Sequence, residues 1–202
     1  MSVSLFPAAA AVLGAYLVGA IPFGLFIAKA MAGVDVRTVG SGNIGATNVL
    51  RAAGAKAAVL TLLADCLKGF LPVMLSGRVF AEPWVPVLAG IAAIAGHNYP
   101  VYLGFKGGKG VATSLGVVLA ASPWLGLLCL ATWLAAAILW RYSSLAALVA
   151  FAVYPLATFA TRSDNAPQGL LSLFVFGMMY YRHRENIKRL LAGTEPRIGQ
   201  KT

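Results

Sequence analysis

The feature that most constrains this chain is a series of long apolar segments with little sequence between them. Crossing a bilayer as a helix takes about 20 apolar residues. Only 11% of the residues are charged, whereas a soluble domain of this size has about a quarter. The sequence therefore predicts an all-α integral membrane protein with seven transmembrane helices, forming a single polytopic domain over residues 1–202. The candidate spans are 5–28, 56–76, 84–103, 111–122, 124–140, 143–161 and 168–181.

The fourth candidate span is short, and we expect it to be a tilted or half-length helix. The N-terminal segment has no basic residue before its apolar run, so we interpret it as a retained helix and not as a cleaved signal.

The basic residues predict the orientation. With seven spans the two termini lie on opposite sides, and an outside N-terminus puts nearly all of the 16 Lys and Arg residues, through Lys201, into cytoplasmic loops and the tail. The exceptions are Arg78 and Arg162, in outside loops, and Lys68, within a span. Cytoplasmic loops of membrane proteins are enriched in Lys and Arg, so we expect the N-terminus outside and the C-terminus in the cytoplasm. This topology explains the net charge of +10 without a nucleic-acid partner.

Three polar stretches all fall on the predicted cytoplasmic side. They are GSGNIGATNVLR (40–51), GHNYPVYLGFKGGKGVAT (96–113) and RHRENIKRLLAGTE (182–195). They belong to motif loops at about 36–55, 97–112 and 182–202. We expect them to converge on one site that receives its substrate from the cytosol.

The second stretch predicts an anion site. Glycines let backbone N–H groups approach a ligand closely, lysines add positive charge, and a following helix can offer its N-terminus. A nucleotide-binding P-loop is excluded because Gly110, not Ser or Thr, follows Lys109 and no βα unit is present. A basic loop held by anionic lipid headgroups is the alternative. The residues assigned to the site are Lys106, Gly107, Gly108, Lys109, Gly110 and Thr113.

The first stretch is more polar than a membrane anchor requires. Asn43, Thr47 and Arg51 are spaced four residues apart and would share one face of a helix, with Asn48 beside them. Ser41 or Asn43 would then lie near the cap. Such a face suits phosphate and hydroxyl groups, since Arg can bind phosphate with two parallel donors. A snorkelling arginine would explain Arg51 but not the other four residues.

Three further ionisable residues lie in or at the ends of spans. Asp65 and Lys68 sit three residues apart inside the second span, where they could form a structural pair or face a site. His97, at the end of the third span, could act as a general base, orient a ligand or cap the helix.

The third stretch carries His183 and Asn186 among several basic residues, followed by Glu195. Anchoring at the membrane surface would account for the arginines, but it does not explain Asn186 or Glu195. The two cysteines, Cys66 and Cys129, lie in apolar segments, and we expect no metal site and no disulfide framework.

Three functions remain open on these residues: a membrane enzyme with a phosphorylated substrate, a transporter for anions or phosphorylated metabolites, and a structural or lipid-binding membrane protein. A transporter would show repeats and polar groups near the midplane. The gathering of polar stretches on one side favours the enzyme.

The three stretches resemble the signature segments of the bacterial acyl-phosphate:glycerol-3-phosphate acyltransferases, the PlsY family. The resemblance runs the length of the chain and includes DCLKG around Asp65 and Lys68. The sequence departs from the family pattern at Ile44, where proline is usual, and at Tyr99 and Tyr102, where phenylalanine is common.

This resemblance implies transfer of a fatty acyl group from acyl phosphate to the 1-hydroxyl of sn-glycerol 3-phosphate, in the bacterial inner membrane and at the start of phospholipid synthesis. It implies no cofactor, and as a partner the peripheral acyl-carrier-protein:phosphate acyltransferase that makes the donor. We expect direct transfer, because no base accompanies Ser41 in its own stretch to form an acyl-serine.

The hypothesis for the individual residues divides them into three groups. The catalytic residues are Ser41, Arg51, His97 and Lys109. The substrate-binding residues are Asn43, Thr47, Asn48, Lys106, Gly107, Gly108, Gly110, Thr113, His183, Asn186 and Glu195. Asp65 and Lys68 give structural support.

Overall fold

A computed structural model describes residues 5–161 and 165–200, and this part of the chain is helical without any strand. Arg162 and Lys201, which entered the charge count, lie outside the described residues. The chain divides into two compact units, Met1–Ala121 and Ser122–Thr202. The helices are α1 (Leu5–Ala20), α2 (Phe23–Ala32), α3 (Ala46–Val79), α4 (Trp84–Asn98), α5 (Val111–Ala121), α6 (Pro123–Trp140), α7 (Ser143–Ala160), α8 (Ala166–Arg182) and α9 (Arg184–Leu191).

Each predicted span after the first coincides with one helix, but the helices differ in length. Among the described residues, four helical segments are long and apolar enough to cross a membrane, namely Leu5–Ala32, Ala46–Val79, Pro123–Trp140 and Ser143–Ala160. The helices α4, α5 and α8 are shorter, with 15, 11 and 17 residues. The count of seven crossings therefore stays a prediction.

The first predicted span is not one continuous helix. It breaks between α1 and α2 at Pro22, which has no N–H to donate and whose ring displaces the preceding carbonyls. The carbonyl of Ile21 at this break accepts a hydrogen bond from the Nζ of Lys68 at 2.8 Å. Lys68 therefore has a structural partner inside the membrane-spanning part of the first unit.

Small residues allow the helices of the first unit to approach closely. A Cβ on Gly19 or Gly96 would overlap backbone atoms across the α1/α4 contact, and one on Gly69 or Gly116 would do so across the α3/α5 contact. Helices in lipid associate through such close packing because lipid tails are as apolar as their side chains. These contacts join α1 to α4 and α3 to α5.

The helix α3 begins ten residues before the predicted span and bends near its start. It starts at Ala46, and Gly54 within it has φ +82° and ψ 178°, a conformation open essentially only to glycine. The bend separates residues 46–53, which carry part of the first polar stretch, from the long apolar part of the helix.

The second unit packs α7 against α6 and α8. Its buried core includes Cys129, Phe151 and Leu171, and the hydroxyl of buried Tyr154 accepts a hydrogen bond from Gln168 Nε2 at 2.9 Å. The short helix α9 follows α8 and is rich in charged residues, as expected of a helix at a membrane surface.

Candidate active site

The glycine-rich loop is built directly on the last turn of α4. Because Pro100 disfavours a helical conformation at the residue before it, α4 ends at Asn98 and the chain forms a short turn at Val101–Leu103. The N–H of Gly108 then donates to the carbonyl of His97 at 3.0 Å. The loop ends at the N-terminus of α5.

Three glycines in this loop are required by close approach. A Cβ on Gly107 would overlap the carbonyl of His97, and one on Gly108 would overlap its Nε2. Gly110 has φ +82°, and a Cβ there would lie 2.8 Å from Asn98 Oδ1. The glycines therefore let the loop lie against His97 and Asn98. One N–H that we expected to face an anion, that of Gly108, is engaged with the protein itself.

His97 lies between this loop and a buried ion pair. The residue is only 3% exposed. Its Nδ1 is 3.8 Å from Asp65 Oδ1, and the same oxygen is 2.7 Å from Lys68 Nζ. The packing of α4 on α3 thus places His97 against Asp65 and Lys68, a pair that is distant from it in the sequence.

The first polar stretch is organised by Asn48. This side chain is 2% exposed, and its Nδ2 donates to the carbonyls of Val36 at 2.8 Å and Val39 at 3.0 Å. Its Oδ1 accepts from the N–H of Ser41 at 3.0 Å. All of these bonds hold the loop in front of α3. Asn48 therefore shapes this loop, and its predicted contact with substrate stays a prediction.

The expected helical face of the first stretch is only partly formed. Because α3 begins at Ala46, Asn43 precedes the helix, and its Oδ1 accepts from the N–H of Gly45 at 2.9 Å. The expectation that Asn43, Thr47 and Arg51 share a helical face is wrong for Asn43, since the preceding glycines allow a turn there instead. Thr47 and Arg51 do lie one helical turn apart on α3.

Arg51 lies near Gly40, the residue directly before Ser41. A Cβ on Gly40 would be 3.8 Å from Arg51 Cδ, and Gly40 directly precedes Ser41. Ser41 and Thr47 are exposed and Arg51 is half-buried. The hydroxyl and guanidinium groups predicted to bind substrate are therefore near the surface of the first unit.

Residues of the first two polar stretches pack together in one hydrophobic cluster. Leu103, from the turn before the glycine-rich loop, packs against a buried cluster that includes Val36, Ile44 and Val49. The departure from the family pattern at Ile44 is thus an apolar core position, 4% exposed. An apolar residue there is compatible with the packing.

The third polar stretch lies in the second unit and is organised by Glu195. Its Oε1 accepts from Ser144 Oγ at 2.6 Å and Asn186 Nδ2 at 2.7 Å, and its Oε2 from Arg189 Nε at 2.8 Å. Burial alone would raise the pKa of Glu195, but these three hydrogen bonds outweigh it, and the pKa is lowered below its usual value. Glu195 thus fastens the tail to α7 and α9.

His183 is buried at the junction of α8 and α9. Its Nδ1 lies 2.9 Å from the carbonyl of Met179, one helical turn back. This contact orients the ring within its own helix. The predicted substrate contacts of His183, Asn186 and Glu195 remain predictions.

Comparison with known proteins decides the family. A sequence model described as glycerol-3-phosphate acyltransferase matches residues 9–193. A glycerol-3-phosphate acyltransferase of Paramagnetospirillum magneticum is 50% identical over 192 residues, covering 95% of this chain and 94% of the relative. This chain belongs to the glycerol-3-phosphate acyltransferase family.

Two solved structures extend the likeness to the fold. Both are crystal structures of PlsY (YgiH), an integral membrane glycerol 3-phosphate acyltransferase, and each match covers 96% of both chains. The glycerol 3-phosphate form is 46% identical with a TM-score of 0.91, and the lysophosphatidic acid form is 45% identical with a TM-score of 0.89. The resemblance found in the sequence and the predicted all-helical membrane fold are therefore confirmed.

Sequence reasoning missed one polar residue beside the glycine-rich loop of this acyltransferase. Asn98 is fully buried, and within the described residues neither polar atom of its side chain has a hydrogen-bond partner. The Oγ1 of Thr113, which we did predict, is in the same situation. Nearly all buried polar groups in proteins are paired. The position of Asn98 beside His97, at the end of an apolar segment, was the signal that could have identified it.

Proposed function

We propose that this chain transfers a fatty acyl group from acyl phosphate to the 1-hydroxyl of sn-glycerol 3-phosphate, releasing 1-acyl-glycerol 3-phosphate and phosphate. The observation that carries the proposal is the likeness to PlsY in its glycerol 3-phosphate and lysophosphatidic acid forms. Lysophosphatidic acid is glycerol 3-phosphate with one acyl group added. The two ligands are therefore the acceptor and the product of a single acyl transfer, which begins phospholipid biosynthesis.

The choice of acyl phosphate as donor follows from the chemistry of the predicted residues. Acyl phosphate is already activated and phosphate is a good leaving group, so the site mainly has to position two anions and stabilise developing charge. Arg51, Lys106 and Lys109 supply positive charge in the first unit. Such a reaction needs neither a metal nor an organic cofactor.

The transfer is direct. The oxygen of the glycerol hydroxyl attacks the acyl carbonyl carbon, the bond from that carbon to the phosphate oxygen breaks, and phosphate leaves with the bonding electrons. The hydroxyl proton passes to a phosphate oxygen, and His97 is the alternative acceptor in the protein. Without a base in its own stretch, Ser41 acts by hydrogen bonding and not as a nucleophile.

Different polar residues bind the two substrates. The glycine-rich loop with Lys109 binds the phosphate of the donor, and Asn98 and Thr113 join it because their buried polar atoms face no protein partner among the described residues. Ser41, Asn43 and Arg51 bind glycerol 3-phosphate or the reacting carbonyl. In the third stretch, His183 and Asn186 also bind substrate.

The same proposal includes the topology. Seven helices cross the bacterial inner membrane with the N-terminus outside, so that the three polar stretches face the cytoplasm. The positive-inside distribution supports this orientation. The soluble substrate then arrives from the cytosol, while the acyl chain lies between helices or in the bilayer. The donor is supplied by a peripheral acyl-carrier-protein:phosphate acyltransferase.

The test is release of phosphate from palmitoyl phosphate by the purified protein in lipid nanodiscs, with and without glycerol 3-phosphate. Lysophosphatidic acid is measured in the same samples, and palmitoyl-CoA replaces palmitoyl phosphate in a parallel series. With palmitoyl phosphate we expect phosphate release and lysophosphatidic acid that both depend on glycerol 3-phosphate. With palmitoyl-CoA we expect no lysophosphatidic acid. Lys109→Ala should lower kcat/KM at least about 100-fold, as loss of one charge-stabilising group commonly does.

The matched control is Lys29→Ala, which removes an exposed lysine of α2 outside the three polar stretches. Lys29→Ala should leave the rates of phosphate release and of lysophosphatidic acid formation unchanged. Equal use of palmitoyl-CoA would contradict the donor assignment. Absence of any acceptor-dependent product from folded wild-type protein would refute acyl transfer, and anion uptake into liposomes would then test the transporter.

A further inference from the structure

A buried polar cluster joins the middle of α3 to the end of α4. It consists of Asp65, Lys68 and His97, which are 2%, 2% and 3% exposed. Asp65 Oδ1 lies 2.7 Å from Lys68 Nζ and 3.8 Å from His97 Nδ1. One carboxylate oxygen therefore faces both an ammonium group and an imidazole nitrogen.

The lysine of this cluster has a structural explanation. Its Nζ donates at 2.8 Å to the Ile21 carbonyl at the break before Pro22 and lies 5.7 Å from the centre of the Phe23 ring. A buried ammonium needs a counter-ion, and Asp65 supplies one. Asp65 and Lys68 could thus form a closed pair with no role beyond the fold.

The position of His97 adds something that charge balance does not require. Buried ion pairs contribute little net stability, and they are costly at membrane depth. Asp65 of this pair nevertheless lies 3.8 Å from the ring of a histidine that also contacts the glycine-rich loop. The carbonyl of His97 accepts from the N–H of Gly108 at 3.0 Å, and its Nε2 lies where a Cβ of residue 108 would be.

The two ring nitrogens of His97 therefore face different groups. Nδ1 faces the Asp65 carboxylate, and Nε2 faces the loop. The distance of 3.8 Å between Nδ1 and Asp65 Oδ1 is longer than a hydrogen bond, so the carboxylate acts on the ring through its negative charge. That charge favours the proton on Nδ1 and leaves a lone pair on Nε2.

We propose that Asp65 is a positioning residue, which holds His97 with its proton on Nδ1 so that Nε2 is presented to the glycine-rich loop as a hydrogen-bond acceptor. The consequence for catalysis rests on the proposed function, since that loop is the donor phosphate site. An Nε2 acceptor can hydrogen-bond the attacking hydroxyl, while the opposite tautomer would present a donor.

The tautomer can be measured without any activity. The chain has only two histidines, so protein labelled with ¹⁵N-histidine gives two sets of ring resonances. His183 serves as an internal reference, because its Nδ1 lies 2.9 Å from the Met179 carbonyl and is thereby expected to carry the proton. His183→Gln assigns the two sets. At pH 8, where an ordinary imidazole is neutral, we expect wild-type His97 to show the Nδ1–H pattern.

Two variants separate positioning from charge balance. Asp65→Asn removes the carboxylate but leaves Lys68 buried without a counter-ion, which can destabilise the protein. Asp65→Asn/Lys68→Met removes both charges and fills the space of the lysine stem with an apolar side chain. In both, we expect His97 to shift towards the Nε2–H tautomer while His183 stays unchanged. An Nε2–H pattern in wild-type protein, or a wild-type pattern in the double variant, would overturn the proposal.

Kinetics add a second readout once wild-type acyl transfer is seen. The double variant should lower kcat about 10- to 100-fold, as loss of an outer partner of a functional histidine typically does. KM for glycerol 3-phosphate should change by less than about threefold, because no phosphate-binding group is altered. An unchanged kcat would overturn the catalytic consequence. An inactive wild type with the expected tautomer would refute the proposed function and leave the positioning by Asp65 intact.

Discussion

The bend at Gly54 is a feature of α3 whose importance can be tested by a single methyl group. Gly54 has φ +82° and ψ 178°, and a Cβ placed on it meets no atom within 4 Å. Gly54→Ala therefore introduces backbone strain without a collision. Any effect of the substitution must come from the conformation of the bend.

The expected size follows from two opposing contributions. Holding a residue other than glycine in this region costs about 1–3 kcal/mol. Replacing glycine by alanine recovers about 0.4–1 kcal/mol from the lower entropy of the unfolded chain. If the bend persists, the free energy of unfolding should fall by about 1–2 kcal/mol. If α3 straightens instead, residues 46–53 move away from the loop that Asn48 holds, and Arg51 moves with them.

Both outcomes are measurable in nanodiscs. Thermal unfolding reports the strain, and acceptor-dependent phosphate release reports the position of Arg51. We expect a lower melting temperature, a fall in kcat/KM of at least about tenfold, or both. Gly177→Ala on α8 is the matched control, because it also meets no atom within 4 Å but has no positive φ. Identical behaviour of the two variants would refute the reasoning.

Two further predictions concern Gly108 and Glu195. Gly108→Ala should displace His97 from the loop and lower kcat/KM at least about tenfold in the phosphate-release assay, because the new Cβ would overlap Nε2. Glu195→Gln should lower the free energy of unfolding by about 1 kcal/mol at neutral pH, a value kept small because Arg189 is partly exposed. The lowered pKa of Glu195 means that its contribution is fully present above the usual pKa of 4.5 and is lost as the pH falls through the lower pKa of the folded protein. The melting temperatures of wild type and variant should therefore converge as the pH is taken below that folded pKa.

Each of these predictions has its own comparison. Gly104→Ala changes a glycine of the same loop with φ +57° and open space around it, so it introduces strain without touching His97. If Gly104→Ala and Gly108→Ala lower kcat/KM equally, overlap with His97 is not the cause. For Glu195, Glu185→Gln removes an exposed carboxylate of α9. A stability difference for Glu195→Gln that does not shrink as the pH is lowered from neutral into the acid range would contradict the pH argument.

The sequence was a reliable guide wherever the information is local. Hydropathy is a property of consecutive residues, and every predicted span falls on helical sequence, the first of them on two helices. The family resemblance likewise rests on short polar stretches whose order and spacing can be read directly. The break at Pro22 was also visible in the sequence, but our prediction joined 5–28 because apolar composition alone does not register the loss of one backbone donor.

What the sequence could not supply is the partner of each polar group. We predicted that Asn48 and Glu195 bind substrate because anchoring in the membrane does not account for their polar side chains. The structure supplies that reason within the fold, through three hydrogen bonds to each side chain. Asn98 was overlooked although it stands beside His97, because the burial of its amide is visible only in the structure.

The sequence by itself determined that this protein is helical, lies in a membrane, and belongs to an acyltransferase family, because apolar runs and short motifs are written along the chain. Only the tertiary structure decided that Lys68 meets the carbonyl of a residue 47 positions away, and that Asp65 faces His97 from a different helix. Such contacts depend on how helices pack through their small residues. That packing reflects shape and close approach between segments distant in sequence, which no local pattern encodes.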